Sequence, residues 1–228
     1  KHFVSRGAFD IEGLGARQVE QFYLLSWIRE PADIFTLRAR DAAGAKALLA
    51  PDAVIDRLED ADRGAARARL AAALGLETTD RDTLARAFDE KSRTPLADQY
   101  GWGAQSASNL FAAIEARRRI PLERMIFALG IRHVGETASQ LIARHYGRWP
   151  DFAAAMDAAA EAQAQGAEWD ELLSIDGVGP VMARSLVTSF AQEAERASID
   201  RLAAALEIEA AAQPEVRDSP VAGKTVVF

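Results

Sequence analysis

Apolar residues along this chain fall into blocks with helical spacing. Leu122, Ile126 and Leu129 make one face of a helix that Pro121 starts and Gly130 stops. Leu110 and Ile114 belong to the helix before it. Leu70, Leu74, Leu84 and Phe88, and also Leu48, Leu49, Val54, Ile55 and Leu58, approximate the same spacing. Four helical blocks open on a shared phrase: IEGLGARQVEQF from Ile11, YGWGAQSASNLF from Tyr100, IRHVGETASQLI from Ile131 and SIDGVGPVMARSL from Ser174. Aligned on Gly15, Gly103, Gly135 and Gly179, the copies place an apolar residue before that glycine: Leu14, Trp102, Val134 and Val178. Two residues before it stand Gly13, Gly101 and Gly177, but His133 in the third copy. A single glycine pair would look like an ordinary helix cap. Four copies at the head of four helices predict a repeated hairpin between helices.

Glycine suits such a turn for two reasons. It adopts positive φ without a steric penalty, and lacking a Cβ it lets another molecule approach the backbone. Pro180 suits the first position of the helix that follows. The helix then presents free N–H groups and the positive end of its dipole out of the turn, where a phosphate oxygen is the natural guest. The third turn must either take a different backbone or hold His133 under strain.

The fold class expected is all-α, an array of four helix-hairpin-helix motifs with an inserted helical segment. Residues 1–37 hold the first motif, with a helix from about Ala16 to Trp27. Residues 38–95 change to alanine, arginine and aspartate without a glycine hairpin and read as an inserted helical subdomain. Residues 96–212 hold motifs two to four. There the helix after the fourth hairpin is expected from Pro180 to about Ala197, with another from Ile199 to Ala212. Residues 213–223, QPEVRDSPVAG, read as a linker. Residues 224–228, KTVVF, read as the first strand of a following domain, truncated there, because folded domains rarely end on exposed Val226, Val227 and Phe228.

Composition narrows the chemistry. The chain has 228 residues, 49% of them hydrophobic, enough for a sizeable core. It has no apolar run approaching the ~20 residues of a membrane helix, so no membrane partner is expected. It has no cysteine, which excludes disulfides, thiolate metal sites and a thiol nucleophile within these residues. His2, His133 and His145 are far apart in sequence, and no acid/base pair of carboxylates stands out. No metal site and no catalytic residue is therefore expected.

The net charge of −7 argues against nucleic acid until it is mapped. Residues 96–150 carry a net +3 and residues 151–220 a net −10, so an acidic C-terminal part masks a mildly basic middle. Bulk charge would give modest DNA affinity, leaving the work to backbone geometry. Arg6 and Arg17 lie near the first hairpin in sequence, as phosphate contacts or as solvated surface groups. Arg117 to Arg119 either favour a helix C-terminal dipole or form a phosphate patch. Trp102 matches Leu14, Val134 and Val178 and is expected to plug the core beneath its turn.

The ordered phrases KHFVSRGAFDIEGLG, PLERMIFALGIRHVGETAS and IDGVGPVMARS resemble the C-terminal half of bacterial NAD-dependent DNA ligases, over residues 1–37 and 96–228. VAGKTVVF is similar to the opening strand of the BRCT domain that ends those enzymes, and KHFVSR follows a four-cysteine zinc module in them. The resemblance implies a parent enzyme that seals nicks in duplex DNA, adenylating a lysine from NAD and activating the 5′ phosphate. NAD, magnesium and zinc would be bound outside these residues and no cofactor within them. It implies a grip on the minor-groove side of the duplex by Gly13, Gly15, Gly101, Gly103, Gly135, Gly177 and Gly179, with Arg6, Arg17, Arg132 and His133 as side-chain contacts. The partners implied are nicked duplex DNA and the other domains of the same chain, in a cytoplasmic monomer. Gln105 stands where the family commonly has lysine, and Gln99 replaces an apolar residue. Three alternatives stay open. One is a hairpin module of another repair or recombination protein, and another is a purely structural helical scaffold. The third is a glycosylase, which would need a base-flipping pocket and a catalytic group soon after the hairpin, where Asp200 is the nearest aspartate.

Overall fold

In the computed structural model, which describes residues 1–61 and 65–212, the blocks with helical spacing are helices, except that Leu48 and Leu49 lie in the loop that precedes the helix beginning at Pro51. The first hairpin leads into α1 (Ala16–Leu24). The middle segment holds α2 (Leu37–Ala42), α3 (Pro51–Ala61), α4 (Ala65–Leu74) and α5 (Arg81–Arg93). The second hairpin opens α6 (Ala104–Ala116), and α7 (Leu122–Ala128) leads through the third into α8 (Glu136–Tyr146). Then α9 (Trp149–Glu161) and α10 (Ala167–Ser174) precede the fourth hairpin, which opens α11 (Pro180–Ala191) and is followed by α12 (Glu193–Ala204). The array is all-α except for two three-residue strands, β1 (Arg119–Pro121) and β2 (Glu207–Glu209), paired in parallel with Ile120 opposite Ile208. Among the described residues, no helix is long and apolar enough to cross a membrane. The expected linker at 213–223 and strand at 224–228 lie outside the described residues.

Three helix ends differ from the sequence expectation, each for a tertiary reason. The first helix stops at Leu24 rather than Trp27. Ser26 takes φ 52°, and the N–H groups of Trp27 and Ile28 both return to the Phe22 carbonyl, at 2.8 and 3.3 Å. This swings the Trp27 indole into the core, where its Nε1 donates to Ser92 Oγ at 3.2 Å. The helix expected to run from Pro180 to about Ala197 is two helices, broken at the extended Gln192. The last helix ends at Ala204 rather than Ala212, because the Glu207 N–H donates to the Arg118 carbonyl at 2.7 Å and the chain continues as β2.

The buried side chains form two clusters, and each takes two hairpins. The first gathers Phe3, Phe9, Phe22, Trp27 and Phe35, and includes Val54, Ile55, Leu70, Leu84 and Phe88 from the middle segment. Ile11 and Leu14 of the first hairpin, and Leu110 and Ile114 behind the second, complete it. The second cluster gathers Ile142, Phe152, Met156, Leu172, Leu186 and Phe190, with Ile131, Val134, Ile175 and Val178 from the third and fourth hairpins. Helix α7 divides its apolar surface between them: Met125 and Ala128 face the first cluster, Leu122 and Ile126 the second.

Polar clasps reinforce the junction. Arg118 donates to the Ala205 carbonyl at 3.0 Å and also to the Phe35 carbonyl, and Arg119 Nε reaches Glu209 at 2.6 Å. Arg117 donates to the Asp10 carbonyl at 3.2 Å. The arginine run follows the C-terminal end of α6, as the dipole reading expects, and is in addition taken up by the protein's own acceptors. Glu30 accepts from Arg201 Nη2 at 2.7 Å and from the Ser198 hydroxyl at 2.9 Å.

The middle segment is anchored by a buried cation. Lys46 Nζ lies 3.1 Å from Asp41 Oδ1, donates to the Thr94 carbonyl, and sits 4.9 Å from the Trp27 ring centroid. Burial pushes its pKa below the usual lysine value, with Asp41 opposing that shift. Asp41 Oδ1 also accepts the Leu96 N–H at 2.9 Å, which fixes the approach to the second hairpin. Removing one partner of a buried ion pair strands the other charge. Lys46→Ala is therefore expected to lower stability by about 3–5 kcal/mol, read as a reduced urea midpoint. A loss under about 1 kcal/mol, the level of a surface pair, would show that the pair does not anchor the segment.

Candidate nucleic-acid interface

The four turns share one backbone. The N–H of the apolar residue returns to the carbonyl three residues earlier: Leu14 to Ile11 at 3.1 Å, Trp102 to Gln99 at 2.9 Å, Val134 to Ile131 at 3.0 Å and Val178 to Ile175 at 2.9 Å. The residue before it is left-handed in every copy, with φ 80° at Gly13, 82° at Gly101, 69° at His133 and 84° at Gly177. The following glycine caps the helix in an extended conformation. The Gly15, Gly103, Gly135 and Gly179 carbonyls accept the N–H groups of Val19, Ala107, Ser139 and Ala183 at 3.0, 3.0, 2.9 and 3.0 Å. Beneath the turns, Leu14, Val134 and Val178 are buried, while Trp102 is half-buried and stacked over Phe22 at 6.2 Å between centroids. Gln99 is buried where the other copies have isoleucine. Its amide nitrogen donates to the Lys91 and Thr94 carbonyls, each at 2.9 Å, so the substitution leaves no donor stranded there.

The two glycines of each pair do different work. The first is required by φ, since an L-residue there costs about 1–2 kcal/mol. His133 accepts that strain rather than altering the turn, which resolves the alternative left open above. The second has an ordinary extended backbone that any residue could adopt. A Cβ there would meet nothing within 4 Å at Gly103, Gly135 or Gly179, and at Gly15 only Gln18 Oε1 at 3.3 Å. Packing within the fold therefore does not require these glycines. What they preserve is open space over the first turns of α1, α6, α8 and α11, whose leading N–H groups have no intrahelical partner. No side chain of the cap residue fills that role at any of the four.

Charge differs among the four sites. Arg17, exposed on the first turn of α1, makes no ion pair among the described residues, and neither do Arg132 and His133 at the third tip. Arg6 belongs in space with the third hairpin rather than with its sequence neighbour. Arg124 Nη2 holds its carbonyl at 2.8 Å, and Gly7 packs so closely on α8 that a Cβ would lie 2.0 Å from Glu136 Oε1. The fourth tip carries exposed Asp176, with Glu168, Asp170 and Glu171 on the preceding α10. Glu171 lies 2.8 Å from His145 Nε2. The Tyr146 hydroxyl is buried without a hydrogen-bond partner among the described residues, and its pKa is pushed up to about 12 by burial and by the negative field of Glu171 and Glu168. The fourth site is thus the least favourable to an anion, while the third sets Arg132 against Glu136 on the first turn of α8.

The first and second hairpins face each other across a groove of about 1000 Å³, whose walls include Glu12, Arg17, Tyr100 and Asn109, together with Gly75 and Lys91 from the middle segment. The sequence offered no signal for Lys91 or Tyr100: one lies outside every repeat, and the other holds a turn position that varies among copies. For a metal, the donors do not fit. There is no cysteine, and among the described residues no three histidines or carboxylates converge.

Residues 124–199 match the family model described as helix-hairpin-helix motif. Over its whole length the chain is 50% identical to a DNA ligase of Cereibacter sphaeroides, covering 25% of that protein, and 48% identical to one of Roseobacter denitrificans, again covering 25%. A DNA ligase of Ruegeria pomeroyi is 39% identical over 269 aligned residues, with 30% of it covered. The chain spans about a quarter of the length of these curated relatives.

The division of labour between the glycines can be measured within one turn. Gly101→Ala places a Cβ at φ 82° in open space, so strain alone acts, and a loss of about 1–2 kcal/mol is expected in chemical unfolding. Gly103→Asp installs a favoured N-cap residue at an extended position and is expected to leave stability unchanged or slightly raised. Equal losses at both positions would contradict the assignment.

Proposed function

We propose that this chain, which matches bacterial DNA ligases along its whole length, is the helix-hairpin-helix region through which an NAD-dependent ligase grips duplex DNA while nicks are sealed in replication and repair. The observation that carries this reading is the second glycine of each turn, kept where the fold has no need of it and where a Cβ would stand over free helix N–H groups. A phosphate oxygen seated there accepts those N–H groups and meets the positive end of the helix dipole. Gly15, Gly103, Gly135 and Gly179 give the access, while Gly13, Gly101, His133 and Gly177 set the turn. Arg17 reinforces the first site, and Arg6, Arg132 and His133 the third. Two hairpins on each core would let the array reach the backbones flanking a minor groove.

Contacts of this kind position the protein without identifying bases, so binding is independent of sequence. The chemistry of sealing, with NAD and magnesium, and the zinc module are assigned to parts of the parent enzyme outside these residues, and no step of it passes through the side chains described. The partners in this reading are nicked duplex DNA and the other domains of the same chain, in a cytoplasmic monomer.

The test is fluorescence anisotropy on nicked and intact duplexes of two unrelated sequences over a salt series. The unaltered chain should bind all of them, with log affinity falling by about 0.9 per phosphate contact for each unit of log salt. The triple variant Gly15→Asp, Gly103→Asp, Gly135→Asp keeps the caps but places carboxylates at the phosphate seats. It should retain its thermal midpoint and lose affinity by about tenfold or more, 1.4 kcal/mol of binding free energy. Full binding by that variant would remove the hairpins from the grip, and no binding by the unaltered chain at low salt would favour a structural scaffold.

A further inference from the structure

We propose that the 38–95 segment is itself part of the DNA grip, with the Lys91 ammonium receiving a backbone phosphate in the groove between the first two hairpins and the Tyr100 ring packing against the same strand. The inference rests on the reading above and extends it to a segment that carries no hairpin.

The groove is lined by two cations, Arg17 and Lys91, and a single carboxylate, Glu12. Lys91 is half-buried, and among the described residues its ammonium has neither a carboxylate nor a hydrogen-bond acceptor. Its position is fixed by its own backbone, because its carbonyl accepts the Gln99 amide at 2.9 Å beneath the second turn. Burial pushes its pKa below the usual lysine value, so an incoming anion would relieve a charge the protein leaves uncompensated. The second hairpin needs such a charge. From Ala104 to Ala116, α6 has no basic residue, and its polar N-terminal face is Gln105, Ser106 and Asn109. Arg17, on α1, lines the same groove as Lys91, so the first hairpin and the middle segment each bring one cation to it. Tyr100 at the tip is fully exposed, an aromatic ring in water beside a phosphate site. Rings so placed stack on sugars and bases irrespective of sequence. A polyanionic strand is the occupant chosen over a free anion because the groove, at about 1000 Å³, is far larger than one phosphate and counts that ring among its walls.

The experiment uses the full 228-residue chain and a nicked duplex. Lysine acylation followed by mass spectrometry reads Lys91 against exposed Lys1. DNA should protect Lys91 severalfold at low salt, leave Lys1 reactive, and lose the effect at high salt. Lys91→Gln should weaken binding and reduce the salt slope by about 0.9, one phosphate contact, while Lys91→Arg keeps the slope. Tyr100→Ser, at a fully exposed position, should weaken binding severalfold with the slope unchanged. If the unaltered chain binds DNA with Lys91 unprotected and Lys91→Gln matches it in affinity and slope, this inference is overturned and the hairpin grip stands. If the unaltered chain does not bind, both fall. Should Lys91→Gln fail to fold, the footprint on the unaltered chain decides alone. Inorganic phosphate protecting Lys91 as well as DNA does would overturn the strand assignment in favour of a small-anion site.

Discussion

A left-handed residue closes each of the four turns, and the rest of the structure depends on that geometry. These turns reverse the chain between two helices within four residues in the form that needs positive φ at the third, which is where φ lies between 69° and 84° in all four copies. Once the turn closes, the next residue drops into the core and the one after it caps a helix pointing back across that core. The buried members of this set, Leu14, Val134 and Val178, are what couple the turn to the packing. His133 shows how strongly the surroundings enforce the shape. Buried Ile131 and Val134 on either side, and the 3.0 Å bond between them, hold the third turn to the common backbone despite its Cβ.

The array was legible in the sequence because this requirement leaves a residue signature at fixed spacing. Gly13, Gly101 and Gly177 report a backbone need directly, and the phrases around them recur. What the signature could not convey was set by contacts distant in sequence. Helix α1 ends at Leu24 because Trp27 has a hydroxyl partner at Ser92, 65 positions away. Helix α12 ends at Ala204 because β2 has a partner strand at Arg119–Pro121. The arginine run at 117–119 looks identical on paper whether it faces a phosphate, a helix end or, as found, the carbonyls of Asp10, Ala205 and Phe35. The separation of roles within each glycine pair was equally hidden, since both members are the same letter. Only φ and the space above each Cα distinguish a glycine the turn requires from one that keeps a surface clear.

The middle segment shows the same limit more sharply. Its alanine-rich helices read as a separate insertion, yet Val54, Ile55, Leu70, Leu84 and Phe88 share one cluster with Phe22 and Trp27. Lys46 and Asp41 tie it under the second hairpin, and Gln99 turns its amide to the Lys91 and Thr94 carbonyls. Gln99 therefore records, in a single letter, that the second turn sits on a neighbour that offers backbone carbonyls where the other three carry a buried isoleucine.

These features bear on how an acidic chain could hold a polyanion. A net charge of −7 repels DNA at long range, but screening confines that repulsion to about 10 Å at 0.1 M salt. Within that distance, placement matters more than sum. The carboxylates concentrate near the fourth hairpin, where Asp176, Glu168 and Glu171 gather, whereas Arg17, Arg132, Arg6 and Lys91 stand at the first three without carboxylate partners among the described residues. Backbone N–H groups add donors that carry no net charge, so they do not appear in any count of lysine and arginine. In the proposed grip, the acidic end would repel a duplex that lay across the whole array and favour one engaged by the first three hairpins. Orientation, rather than affinity, is then the consequence of the charge asymmetry.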